Sequence, residues 1–184
     1  MPSIVHEFDW PDRVIVGTVG RPGERTFYLQ ARAGRRVVSV ALEKEQSAVL
    51  AEKIDEILDG LMATQGDSLT IPADTPLELV DNAPLDQPID EQFRAGTMAL
   101  GWDPATSQIT LQAYSFVDED EAEESDDPLA GEPDEVLLLK MPVGTARAFA
   151  KRTREIVGAG RPICPFCAQP MDPDGHTCEL SGLL

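Results

Sequence analysis

Cysteine and histidine are nearly missing from this 184-residue chain, which holds three of the one and two of the other. So few cysteines, in an odd number, exclude the disulfide framework of a small secreted domain. No apolar run approaches the roughly 20 residues that cross a bilayer, so no membrane-spanning helix is expected. The opening "MPSIVHEFDW" lacks the basic start and apolar stretch of a signal peptide, and a cytoplasmic location is the expectation. Bases are scarce beside acids, 15 Lys and Arg against 33 Asp and Glu, giving a net charge of −18. That balance disfavours nucleic acid as a partner. No glycine-rich phosphate loop occurs either: "GTVGRPG" has neither the lysine nor the following helix.

What is present suits a globular core, since 42% of the residues are hydrophobic. The acids are unevenly placed. "DEDEAEESDDPLAGEPDE" (118–135) carries eleven of them and no base, more than half of the net charge. Such a segment reads first as a solvated loop that repels itself into disorder, and second as a tether for a basic partner.

The rest is patterned. "DRVIVGTVG" is β-branched, "RTFYLQARA" alternates with Phe27, Leu29 and Ala31 on one face, and in "RVVSVALE" Val38, Val40 and Leu42 share a face; the turn signals "RPGE" and "AGR" separate the three. They read as an antiparallel meander. The period then lengthens. In "KEQSAVLAEKIDEILDGLMATQ" Leu50, Ile54, Ile57, Leu58 and Leu61 recur at spacings of three and four, the stripe of an amphipathic helix. A proline-rich connector (67–92) follows, expected to run extended along the surface.

Strand patterns return in "FRAGTMALGWDP", "QITLQAYSF" and "EVLLLKMPV". A helix follows in "GTARAFAKRTREIVGAG", with Ala146, Phe149, Ala150, Thr153, Ile156 and Val157 on one face. Three strands and a helix therefore occur twice, and Gly-Thr, a turn and Leu-Gln-Ala recur in both. The expected fold is α+β, two βββα units (1–66 and 93–160) in a pseudo-twofold antiparallel-sheet domain, with a small zinc-knuckle tail (161–184). One six-stranded domain without internal repetition is the alternative.

All three cysteines and one histidine lie in that tail. Cys164, Cys167, His176 and Cys178 have the spacing C-x2-C-x8-H-x-C. Two close pairs of soft and borderline donors can clasp zinc from opposite sides, the second pair returning after "PMDPDG". A redox C-x-x-C needs a strand-to-helix setting, and covalent haem needs histidine where Ala168 stands. A zinc deaminase places its histidine before the cysteine pair. Iron–sulfur ligation stays open. Four ligands leave no position for water, so the zinc is expected to be structural. Asp172, Asp174 and Glu179 read as turn formers, or as acceptors behind the ligands.

Other candidates are thinner. His6 stands among Glu7, Asp9 and Asp12, but an N-terminal histidine reads first as a surface residue. Arg25, Arg32, Arg35 and Arg36 gather around Phe27 and Tyr28, a small basic aromatic face whose plainer use is ion pairing.

"GTVGRPGERTFYLQAR", "VVSVALEKEQ", "FRAGTMALGWD" and "CPFCAQPMDPDGHTC" together resemble a bacterial family known as domain of unknown function 3090, over nearly the whole chain. The resemblance implies a zinc-ribbon-like tail at Cys164, Cys167, His176 and Cys178, and no established activity. The family's genes tend to lie near those of a histidine-phosphatase-like and a kinase-like protein, which implies a shared pathway. Three functions remain open. The first is a zinc-binding protein that is not an enzyme and acts through protein contacts. The second is an enzyme acting on a small phosphorylated or anionic molecule in a cleft between the units. The third is a single-stranded nucleic-acid binder, opposed by the charge.

Overall fold

β-branched and alternating apolar residues build the strands. The computed structural model describes residues 4–21, 23–65, 71–127, 130–160, 164–169, 171 and 175–178. The first unit holds β1 (Ile4–Asp9), β2 (Arg13–Val19), β3 (Thr26–Ala33), β4 (Arg36–Leu42) and helix α1 (Lys44–Gln65). The second holds β5 (Glu91–Asp103), β6 (Gln108–Ser115), a short helix α2 (Glu119–Glu124), β7 (Glu135–Pro142) and α3 (Val143–Gly158). Among the described residues the seven strands form one sheet in the order β1-β7-β6-β5-β4-β3-β2.

Two joints of this sheet depart from the antiparallel expectation, because β4 pairs with β5, and β1 with β7, in parallel. The reason lies in two bent strands. Only Trp10, Pro11 and Asp12 separate β1 from β2, and Trp10 takes a left-handed φ of 54°. The two are successive halves of one bent run, the first bordering β7 and the second β3. β5 repeats this scheme. Its start pairs in parallel with β4, and Met98–Asp103 pairs antiparallel with β6. Each unit thus lends the first half of its leading strand to the last strand of the other. β1 and β2, the two ends of the sheet order, are joined in sequence by the bend at 10–12.

The inner face is apolar. Val16, Leu29 and Val40 from one unit meet Ile109, Leu111, Leu137 and Leu139 from the other. α1 buries Leu50, Ile54 and Leu58, and α3 buries Ala146, Phe149 and Ala150, against the same cluster. These are the stripes that a 3.6-residue period predicts.

The described part of the connector (71–90) runs largely exposed, as expected, and is also held down by side chains of the sheet. Arg13 donates to both carboxylate oxygens of Asp81 (2.6 and 2.9 Å), and Arg32 to Asp86 (3.0 and 3.2 Å). The buried Gln30 amide donates to Asp86 O, and its oxygen accepts from Asp86 N (3.1 and 2.7 Å). Leu85 is buried over Gly17, where any Cβ would lie 2.6 Å from the leucine Cγ.

The acidic segment is also ordered in part. Asp118 caps α2 by accepting from the amides of Asp120 and Glu121. Glu119, Asp120 and Glu121 then fill its first turn, where the helix dipole favours negative charge.

Candidate metal centre

The tail brings its four predicted donors together. The ligand atoms of Cys164, Cys167, His176 and Cys178 all lie within 4.8 Å of one another. Cys164 Sγ stands 3.9 Å from Cys178 Sγ. Two sulfurs bonded at about 2.3 Å to a tetrahedral zinc lie about 3.8 Å apart, so this edge has the length that zinc requires. The other pair, Cys167 Sγ and His176 Nε2, is 3.1 Å apart, within hydrogen-bond range.

Local backbone explains the convergence. Cys164 N donates to Gln169 O and Ala168 N donates back to Cys164 O (2.9 and 3.0 Å), closing a knuckle around "CPFC". Ala168 takes φ 57° to complete it, and Gly175, at φ 124°, precedes the returning histidine. The amides of Cys167 and Phe166 point at the Cys164 sulfur and bring its pKa down to about 6. At Cys167 the Gln169 amide acts in the same direction, but burial and the neighbouring sulfurs outweigh it and the thiol is raised. Cys164, itself buried, is therefore the first thiolate of the cluster. A set of three sulfurs and one imidazole is the chemistry of a soft or borderline cation. Asp172, Asp174 and Glu179 lie outside the described residues.

The other candidates take structural places. His6 is no surface residue: it sits on β1, and its Nε2 is 2.7 Å from Glu135 Oε2, which also accepts from Gln92. Three of the four arginines near the first hairpins pair or stack, and Arg35 is exposed in the turn between β3 and β4. Arg32 meets Asp86, Arg36 donates to Glu7 O and lies over the Phe8 ring, and Arg25 lies over Phe27.

Two arginines that the patterns do not single out are buried on α3. Arg147 donates to Asp55 (2.7 Å), Asp59 (2.9 Å) and Pro72 O (3.0 Å), tying α3 to α1 and to the connector. Arg152 donates to Val16 O on β2 and to Asp81 O. The one sequence signal is their position at the border of the apolar stripe of α3.

A cavity of about 1100 Å³ opens between the start of β5 and α2, lined by Glu43, Arg94, Tyr114, Glu119, Glu123 and Asp127 among others. Arg94 is already paired with Glu43. So acidic a lining repels the phosphorylated or anionic molecule that an enzyme reading calls for. Among the described residues no helix is long and apolar enough to cross a membrane.

Fold and tail together define an α+β protein of one mixed sheet, carrying a Cys3His cluster of the kind that holds a metal ion. The chain belongs to the family described as "Protein of unknown function (DUF3090)", whose model matches residues 6–178. No curated protein and no solved structure matches it.

Proposed function

We propose that this is a zinc protein in which the metal is structural, and that it acts in the cytoplasm through contacts with another protein. One observation carries the zinc reading: four donor atoms of the right chemistry converge within 4.8 Å, which fills a tetrahedron and leaves no place for substrate or water. With so few apolar residues in the tail, metal binding supplies most of its order. The sheet body (1–160) and the tail (161–184) are then separate units of stability. The same reading treats the two βββα units as a duplicated, pseudo-twofold pair, which the repeated exchange of leading strands supports.

Metal analysis of the purified chain tests the zinc reading. About one zinc per chain is expected from one four-ligand set, and Cys164→Ser abolishes it, because a neutral hydroxyl is a poor substitute for a thiolate. Cobalt-loaded protein shows thiolate charge-transfer absorption that the same variant loses. Iron in place of zinc, or full zinc in Cys164→Ser, rejects the assignment. Chelation loosens the tail in hydrogen exchange while Val14 to Val157 stays protected; loss of protection throughout the body overturns the separation. The contact reading is tested by cross-linking in cells with the full chain and with the chain ending at Gly160. An adduct formed by either supports it, and no adduct from both rejects it.

A further inference from the structure

β4 stops pairing with β5 early. Its last partner is Arg94, and the chain turns into α1 only three residues after Ala41. Among the described residues, β5 from Met98 to Asp103 therefore pairs with β6 alone, and α1 lies beside it. α1 does not close that gap. Gln46 Nε2 caps the carbonyls of Ala95 and Gly96 (3.2 and 2.9 Å), and beyond them a groove of about 630 Å³ remains between helix and strand. Its floor is apolar, with Val49 and Ile57 on α1 facing Met98 and Leu100 on β5. Val49 is 52% exposed, an open site for a side chain to cover.

The other unit shows what such a space accepts. There α3 runs beside β2, and the corresponding space is filled. Arg152 donates to Val16 O, and Leu79 and Asp81 of the extended connector lie in the gap, which shrinks to about 100 Å³. On the α1 side Lys53 turns instead to Glu56 (2.9 Å) and caps no strand carbonyl. The groove also continues, at Gln46 and Gly96, into the larger cavity that carries Glu119, Glu123 and Asp127. An apolar floor, a strand edge and an acidic mouth lie in one line.

We propose that the α1–β5 groove takes an extended segment of a partner protein, in which basic and apolar residues alternate, added as a strand along the free edge of β5. This rests on the protein-contact reading above. Main-chain hydrogen bonds to β5 hold the segment, apolar side chains on one face cover Val49, Met98 and Leu100, and bases reach toward α2. A second copy of this chain is the wrong occupant, since two bodies of net charge −18 repel each other.

The probe is a fluorescein-labelled decapeptide alternating lysine and valine, titrated by anisotropy into the full chain. Controls carry glutamate for lysine, or proline in the middle, which removes a ladder hydrogen bond. The lysine peptide binds, and both controls lose at least about tenfold, or 1.4 kcal/mol. Val49→Glu, at an exposed site that leaves the fold intact, costs about as much, and Glu119→Gln with Glu123→Gln flattens the salt dependence. Amide shifts fall on Met98–Asp103 and α1. Several results overturn the proposal: binding that survives Val49→Glu or the central proline, shifts confined to other elements, no binding by any peptide, or a dimer in sedimentation that Val49→Glu dissolves. Cross-linked adducts in cells with no peptide binding remove the groove and leave the contact reading standing. Peptide binding without adducts removes the contact reading and, with it, the proposal that the groove takes a partner's segment.

Discussion

Arg147→Ala is the most informative single change to the body of the protein. Arg147 is 5% exposed and Asp55 7%, and they meet at 2.7 Å inside the α1–α3 interface. Removing one partner of a buried, hydrogen-bonded ion pair typically costs about 3–5 kcal/mol, because the other charge stays behind without its counter-charge. Here the lower end applies. Arg154 stands 2.8 Å from Asp55 Oδ2 and partly neutralises it, but at an angle that makes no hydrogen bond and from a side chain 57% exposed. Pro72 O also loses its donor. A cost of about 3 kcal/mol, at about 2–4 °C per kcal/mol for a chain of this size, lowers Tm by about 6–12 °C. Arg147→Met with Asp55→Leu removes both charges and recovers at least half of that, since well-packed apolar replacements of buried pairs are often neutral. Calorimetry and urea midpoints measure both. A Tm loss under about 2 °C for Arg147→Ala, or a double variant no better than the single, refutes the reasoning.

Three further outcomes follow from the same geometry. Deleting Glu119 to Glu132 leaves Tm nearly unchanged, because α2 buries no residue and Glu135 N already bonds Ser115 Oγ across the gap at 3.1 Å; a large Tm loss would show that the acids hold the body together. Arg13's hydrogen bonds, with help from the Ala83 amide, outweigh burial and hold Asp81 below the usual carboxylate range. The unfolded chain then binds more protons in acid, so Asp81 contributes stability above about pH 4 that is lost as pH falls through its folded value. Asp81→Asn flattens that part of the pH–stability curve, and equal slopes for both proteins count against the pairing. Gly17→Ala drives a methyl into Leu85 and costs about 1–3 kcal/mol by urea denaturation, unless the connector lifts, which proteolysis within 81–90 detects.

Much of this architecture is written in local patterns. β-branched and alternating runs and an amphipathic stripe announce β2 to β4 and α1, and similar signals announce β5 to β7 and α3, although β2 and β4 bury consecutive residues on both faces. The four donors of the tail are legible because metal ligation demands particular side chains at particular spacing. β1 is not: in "IVHEFD" only Phe8 is buried, so its membership depends on β7, far away in the chain. The acids of α2 read as disorder by charge alone, yet a cap and a dipole suffice to order one short turn. Arg147 and Arg152 are hidden for a similar reason. An arginine beside an apolar stripe reads as solvent-facing until the carboxylate or carbonyl opposite it is known. The α1–β5 groove has no sequence pattern at all, since it exists because one strand stops short of its neighbour.

The bent leading strands also bear on how the chain is made. Residues Ile4–Asp9 find their partner only in Glu135–Lys140. While synthesis proceeds, the first unit emerges with β1 unpaired and the β4 edge open, two templates for pairing with the wrong chain. Neither is covered until the second unit has left the ribosome, and the closing contact is among the most distant in sequence, which slows folding. Each half lacks a strand segment that only the other can supply, so a chain cut in the connector yields two pieces that aggregate apart and complement each other when they are refolded together.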